Sequence, residues 1–195
     1  QKAMSERRHD YRNEDENAFE PQHYFIKKEF DLENFNGIEI GGAFHILISQ
    51  GDDYHVEFMT EREQDMEDLD VRVNRDISEI DFEDRFHRNR GKVIAHVTMP
   101  NLTSIEAGGA SVLKIVSFED IASLDIELDG ALKAKMDIEA KNVRLNATGA
   151  SQIEIRALVE RIVMDLTGSS QFEVKRAEIG TAKVEASGAS HANFG

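Results

Sequence analysis

Residues 143–155 read Val143-Arg144-Leu145-Asn146-Ala147-Thr148-Gly149-Ala150-Ser151-Gln152-Ile153-Glu154-Ile155. Apolar side chains fall at every second position on both sides of Gly149, with polar ones between them. A period of two is that of a half-buried strand, here interrupted by one small tripeptide. The tripeptide recurs along the chain as Gly109-Ala110-Ser111, Gly130-Ala131-Leu132, Gly149-Ala150-Ser151, Gly168-Ser169-Ser170 and Gly188-Ala189-Ser190, the glycines following one another at spacings of 21, 19, 19 and 20 residues. The flanks repeat with it. Ile162, Met164, Leu166, Phe172 and Val174 surround Gly168, and Leu124, Ile126, Leu128, Ala134 and Met136 surround Gly130, all an even number of residues from the glycine.

One such unit cannot close a core, whereas units stacked in parallel bury a continuous one. The fold class expected is therefore all-β: a stacked parallel β-solenoid, or β-helix, built from ~20-residue Gly-Ala-Ser repeats, with a less regular N-terminal β region. A β-sandwich joins its strands by loops of variable length and lacks a tripeptide at fixed spacing. Each repeat ends in a short polar link holding one more apolar residue: Phe118 or Ile121, Ile138, Leu158 and Ile179. The template also fits upstream, where Ile38 and Ile40 precede Gly42 and Phe44, Ile46 and Ile48 follow it. Residues 52–92 are read as an irregular insertion, with a helix-like acidic run at 61–69; the strand that follows, at Val93, Ala95, Val97 and Met99, is stopped by Pro100.

Residues 1–28 mix charges of both signs without a sustained period and are expected to form a flexible leader. Residues 29–195 are expected to form a single solenoid domain. The net charge of -15 and pI near 4.9 disfavour nucleic acid, which needs clustered Lys and Arg. No apolar run approaches the roughly 20 residues of a membrane span, and no signal peptide is visible. With no cysteine in the chain, disulfides, thiolate metal sites and a cysteine nucleophile are excluded.

Constant spacing lines up columns of outward residues. Three positions before the glycines stand Glu39, Glu106, Glu127, Asn146, Asp165 and Glu185. The acidic members, Glu39, Glu106, Glu127, Asp165 and Glu185, are the one candidate for a row of divalent-cation sites. The plain reading, a solvated acidic face, is favoured, because no Asp-rich loop with calcium spacing occurs. No metal and no cofactor is expected. One position after the glycines runs a stripe of small residues, and three positions after them stand His45, Val112, Lys133, Gln152, Gln171 and His191, polar enough to contact sugars or simply to face water. The glycines Gly42, Gly109, Gly130, Gly149, Gly168 and Gly188 and the serines Ser111, Ser151, Ser170 and Ser190 are read as structural.

No catalytic residue is identified. The seven histidines are His9, His23, His45, His55, His87, His96 and His191, and none forms the His-Glu-x-x-His pattern of a zinc protease. No Gly-x-Ser-x-Gly elbow occurs. A serine that returns in every repeat points to structure, since a nucleophile would be unique.

The run Phe35-Asn36-Gly37-Ile38-Glu39-Ile40, then Gly42-Ala43-Phe44, Ile46-Leu47-Ile48 and Gln50-Gly51, the strand ending Met99-Pro100-Asn101-Leu102, and the serial Gly-Ala-Ser copies resemble the bacterial family described as putative auto-transporter adhesin, head GIN domain. The resemblance covers roughly residues 30–195; Phe44 and Leu132 depart from it where the serine is expected. It implies an exported protein of stacked β repeats, periplasmic or at the cell surface, and brings no catalytic residues. The function expected is an extracytoplasmic, non-catalytic binding or adhesion module, with a carbohydrate or cell-surface ligand and self-association as its partners. Two other readings stay open: a structural envelope protein without a soluble ligand, and a glycan-active β-helix enzyme. At the end of the stack, Phe194 is expected to leave an apolar slot for a partner subunit to cover.

Overall fold

The alternating segments form strands wherever one set of side chains can be buried. The computed structural model describes residues 18–21, 25–84 and 89–194. Its elements are β1 (Ile26–Phe30), β2 (Gly37–Ile40), β3 (His45–Gln50), β4 (His55–Thr60), α1 (Glu63–Glu67), β5 (Leu69–Asn74), β6 (Ile77–Phe82), β7 (Val93–Met99), β8 (Ser104–Ala107), β9 (Val112–Gly130), β10 (Lys133–Gly149), β11 (Gln152–Leu166), β12 (Gln171–Ala186) and β13 (His191–Asn193). Strand takes up about 67% of the described residues, and the parallel strands stack as a β-solenoid of about 4 turns.

β9 to β12 lie parallel and in register, one repeat apart. Lys133 pairs with Val112 on one side and with Gln152 on the other, Gln152 pairs with Gln171, and Gln171 with His191. Each long strand bends once. In β9 the bend is made at Ser117 and Asp120, at φ of 53° and 59°. The bends divide the stack into two walls. The first runs β1-β4-β7-β3 and on through the leading halves of β9 to β12 to β13; the second runs β5-β6-β2-β8 and on through the trailing halves of the long strands.

Between the walls, inward side chains form unbroken columns. On the first wall Ile46, Leu113, Ala134, Ile153 and Phe172 follow one another in register, and on the second Ile38, Ile105, Ile126, Leu145 and Met164 do so. All are at most 2% exposed. Each buried large aliphatic side chain contributes about 1.5–3 kcal/mol, and its contacts lie in the turns above and below.

The polar links of the repeats form the bend. Two inward columns fill it: Phe118, Ile138 and Ala157 in one, and Ile121, Ala140 and Val159 in the next. Leu158, the apolar residue of its link, is half-buried and points outward. Alternation carries through Ile153, Ile155, Ala157 and Val159 of β11 and so itself places Leu158 on the outer side.

The stretch 52–92 holds β4, α1, β5 and β6. β6 pairs in parallel with β2 and β7 with β3, so β6 and β7 supply a turn stacked ahead of the one made by β2 and β3. β4 and β1 extend the first wall antiparallel, and β5 extends the second. Phe44 and Phe82 stack face to face at 4.4 Å, which ties this earlier turn to the glycine edge. Of the stretch read as a leader, β1 takes residues from Ile26 onward, and Phe19 is buried to 4% exposure. Its residues 1–17 and 22–24 lie outside the described residues, as do His9, His23 and His87.

Candidate functional site

The glycine edge is built by the backbone. Gly149 sits at φ +83°, and a Cβ there would come within 2.5 Å of the Gly130 carbonyl oxygen. A side chain would meet both left-handed strain and a collision with the turn below. Across this edge Ala150 N donates to Gly130 O, Ser169 N to Gly149 O and Ala189 N to Gly168 O, each at 2.8 Å, so the parallel ladder passes the corner without a break. Gly42 departs from the set: its φ is not left-handed, and its neighbours are the Phe44 and Phe82 rings. Next to the glycines, Ser111, Ser151 and Ser170 point inward at 0–1% exposure, in the slot that Leu132 and Phe44 fill with apolar bulk. Ser111 Oγ donates to Gly42 O at 2.7 Å and accepts from Phe44 N at 3.2 Å. These hydroxyls satisfy the backbone at a dry corner and stand apart from any surface cleft. The small stripe of Ala43, Ala110, Ala131, Ala150, Ser169 and Ala189 lies exposed along the same edge.

The acidic column lies on the outer face of the second wall. Glu39 pairs in register with Glu106, Glu106 with Glu127, Glu127 with Asn146, Asn146 with Asp165 and Asp165 with Glu185. The structure adds Glu79 of β6, which pairs with Glu39. Nothing in the sequence template announced it, because β6 carries no Gly-Ala-Ser tripeptide. Stacked like charges repel, and the column deals with this at its ends. Arg72 Nη2 lies 2.6 Å from Glu79 Oε2, and Lys183 Nζ lies 2.7 Å from Glu185 Oε1. Glu79 is held below the ordinary carboxylate value chiefly by its hydrogen bond from Asn74, with Arg72 adding to it. Glu185 is held down by Lys183. In the middle, partial burial first and then the charges of Glu39 and Glu127 push Glu106 up.

On the outer face of the first wall, the column Val112, Lys133, Gln152, Gln171 and His191 is likewise in register. From Lys133 onward it is exposed and, with Glu154 and Asn193 beside it, lines a shallow trough of about 400 Å³. Amides, a lysine, an imidazole and a carboxylate at a step of about 4.8 Å offer alternating donors and acceptors to an extended polar ligand. His45 stands in the same column as His191, two register steps before Lys133.

Two further groupings have their charges met within the chain or are small. At the outer bend a groove of about 190 Å³ is lined by Phe118, Ile138, Arg156 and Arg176 among acidic neighbours. On β1 and β4, ligand-type atoms of Glu29, His55 and Glu57 lie within 4.8 Å of one another, but Lys27 Nζ donates to both Glu57 oxygens at 2.9 and 3.1 Å, so a side-chain ammonium already occupies the place of a cation.

The profile of the family described as putative auto-transporter adhesin, head GIN domain, matches residues 34–195. The chain belongs to this family. The match takes in both walls from β2 onward, the acidic column and the trough. Three solved structures are similar at low identity. A putative adhesin from Parabacteroides merdae ATCC 43184 is 10% identical, with a TM-score of 0.49, over 88% of this chain and 96% of that one. A putative adhesin from Parabacteroides distasonis ATCC 8503 is 14% identical, with a TM-score of 0.49, over 88% and 96%. A putative lipid binding protein from Parabacteroides distasonis ATCC 8503 is 12% identical, with a TM-score of 0.50, over 87% and 96%; that likeness concerns the fold alone. No curated protein matches the chain. Among the described residues, no helix is long and apolar enough to cross a membrane.

Proposed function

We propose that this member of the head GIN domain family is an extracytoplasmic, non-catalytic binding or adhesion module, and that its ligand is a carbohydrate chain lying along the first wall. The observation that carries this reading is the trough at Lys133, Gln152, Gln171 and His191: exposed hydrogen-bonding side chains, repeated in register by successive turns. Such a surface suits an extended polar ligand, because each turn adds a polar contact and several weak contacts sum to useful affinity. Burial also favours an outer face over an interior site, since the columns between the walls are filled by side chains. Self-association, as in an assembled adhesin head, and a location at the cell surface or in the periplasm belong to the same proposal. They are supported by the family's description.

A glycan array probed with the unmodified chain and with the Gln152→Ala/Gln171→Ala variant tests it. The expected result is binding to a restricted set of glycans, weakened about tenfold or more in the variant, a loss of roughly 1.4 kcal/mol. Glycan binding that is indifferent to the two glutamines contradicts the trough as the site. Silence across the array, together with an envelope-integrity defect on deletion, favours a structural envelope protein. Glycan cleavage abolished by removing one acidic pair favours an enzyme.

A further inference from the structure

Three side chains on the outer face of the first wall are too dry for their position. Met59 and Ile94 are each 2% exposed and Lys114 is 4% exposed, although the alternation of β4, β7 and β9 turns all three away from the core. Met59, Ile94 and His45 form one cross-strand row, and His96 lies beside it on β7. The segment 18–21 lies over the His45, His96 and Lys114 side of this patch. The Phe19 ring, 4% exposed, meets the His45 ring edge to face at 6.3 Å. Lys114 Nζ lies 5.9 Å from the Phe19 ring centroid. His96 Nε2 donates to the Phe19 carbonyl oxygen at 2.8 Å, a contact spanning 77 residues of chain.

Beneath this strap His45 Nδ1 is enclosed without a hydrogen-bond partner. A neutral ring tolerates that; an imidazolium would carry a buried, unmatched N–H on a full charge, which is costly. The charged and titratable groups around it are mostly basic: Lys92 at the approach to β7, His96 on β7, Lys114 on β9 and Lys133 further along its own column. The acidic ones are Glu20, exposed on the strap, Glu57 of β4, which Lys27 already holds, and Glu61 after β4, whose charge acts on Lys92. We infer that the strap 18–21 is a pH-operated latch, closed over the first wall when His45 is neutral and released when His45 takes a proton. Release uncovers the His45–Ile94–Met59 row. That row continues through Val112 to Lys133, so an open latch lengthens the trough on its apolar side.

The sign follows from linkage. With the strap docked, burial first and Lys92 second push His45 below its ordinary value, and a backbone contact with Ala18 opposes them more weakly. Undocked, the ring returns towards about 6.5. The docked state binds fewer protons, so the latch is favoured above that value and loses stability as pH falls from it towards the lower docked value.

The chain has no tryptophan, so Phe19→Trp places a single reporter in the latch. The expected result is the emission of a buried indole at neutral pH, a red shift to that of a hydrated indole on acidification with its midpoint below about 6.5, and an unchanged far-ultraviolet β signal. His45→Gln in the same background is expected to abolish the acid shift. A hydrated indole at neutral pH, or an equal acid shift with His45→Gln, overturns the latch. An NMR titration of the unmodified chain guards against disturbance by the larger ring: the Phe19 ring signals, which meet the His45 ring, are expected to change as His45 takes a proton, and Phe19 signals that stay unchanged through that titration overturn the latch. None of these readouts depends on a ligand, so failure of the latch and failure of the carbohydrate reading are distinguishable.

Discussion

Gly149 meets two demands that no other residue type meets together. Its backbone turns left-handed, and its α-carbon lies against the carbonyl of the equivalent glycine one turn below. Left-handed strain alone costs an L-residue about 1–2 kcal/mol, and the 2.5 Å approach to Gly130 O adds to it. Gly149→Ala is therefore expected to lower stability by about 2–4 kcal/mol in urea unfolding. Its exposed neighbour tolerates change, with Ala150→Ser expected to stay within about 0.5 kcal/mol. Equal stabilities for the two variants would contradict the glycine edge as described. The demand was legible in the sequence because it is met once per turn, and repetition exposes it. Phe19 shows the opposite case. It is one aromatic residue in a stretch of mixed charge, and its partners His45, His96 and Lys114 come from three strands. Nothing in the local sequence forecasts such a meeting.

Strands carry the information that makes the outer columns readable. Alternation fixes which residues face out, and constant spacing fixes which of them are neighbours, so Glu39, Glu106, Glu127, Asp165 and Glu185 could be aligned before any coordinates. Two things escaped that reasoning. Glu79 joins the column from a strand outside the repeat, and alternation, which holds through Ala157 and Val159 and leaves Leu158 outside, slips by one residue between Val159 and Ile162. The column makes its own prediction. Burial and the neighbouring charges of Glu39 and Glu127 raise Glu106, so the folded chain binds this proton more readily than the unfolded chain. Its contribution to stability is present below the unfolded value of about 4.3 and is lost as pH rises through the raised folded value. Glu106→Gln removes that titration and one member of the like-charge row. The variant is expected to gain on the unmodified chain as pH rises above about 4.3, and the gain is expected to shrink in ~0.5 M salt, which screens exposed charges. A salt-independent difference, or a variant that weakens as pH rises, would contradict the electrostatic reading of the column.

For the whole molecule the consequence of the stack is that each turn is held by its neighbours, and what one turn displays the next displays again, one strand spacing along. The trough, the acidic column and the glycine edge are all products of that one repeat. They stand or fall with the register, which makes a distance along the stack the most direct check. With no native cysteine, spin labels can be placed cleanly at exposed column positions. Glu39 and Glu185 are five register steps apart, and Glu106 and Glu185 four. Pulsed electron resonance on the two doubly labelled chains is expected to give backbone separations of about 24 Å and about 19 Å, one step of about 4.8 Å between them. Separations that do not grow by one strand spacing per repeat would contradict the in-register solenoid, and with it every surface built on it.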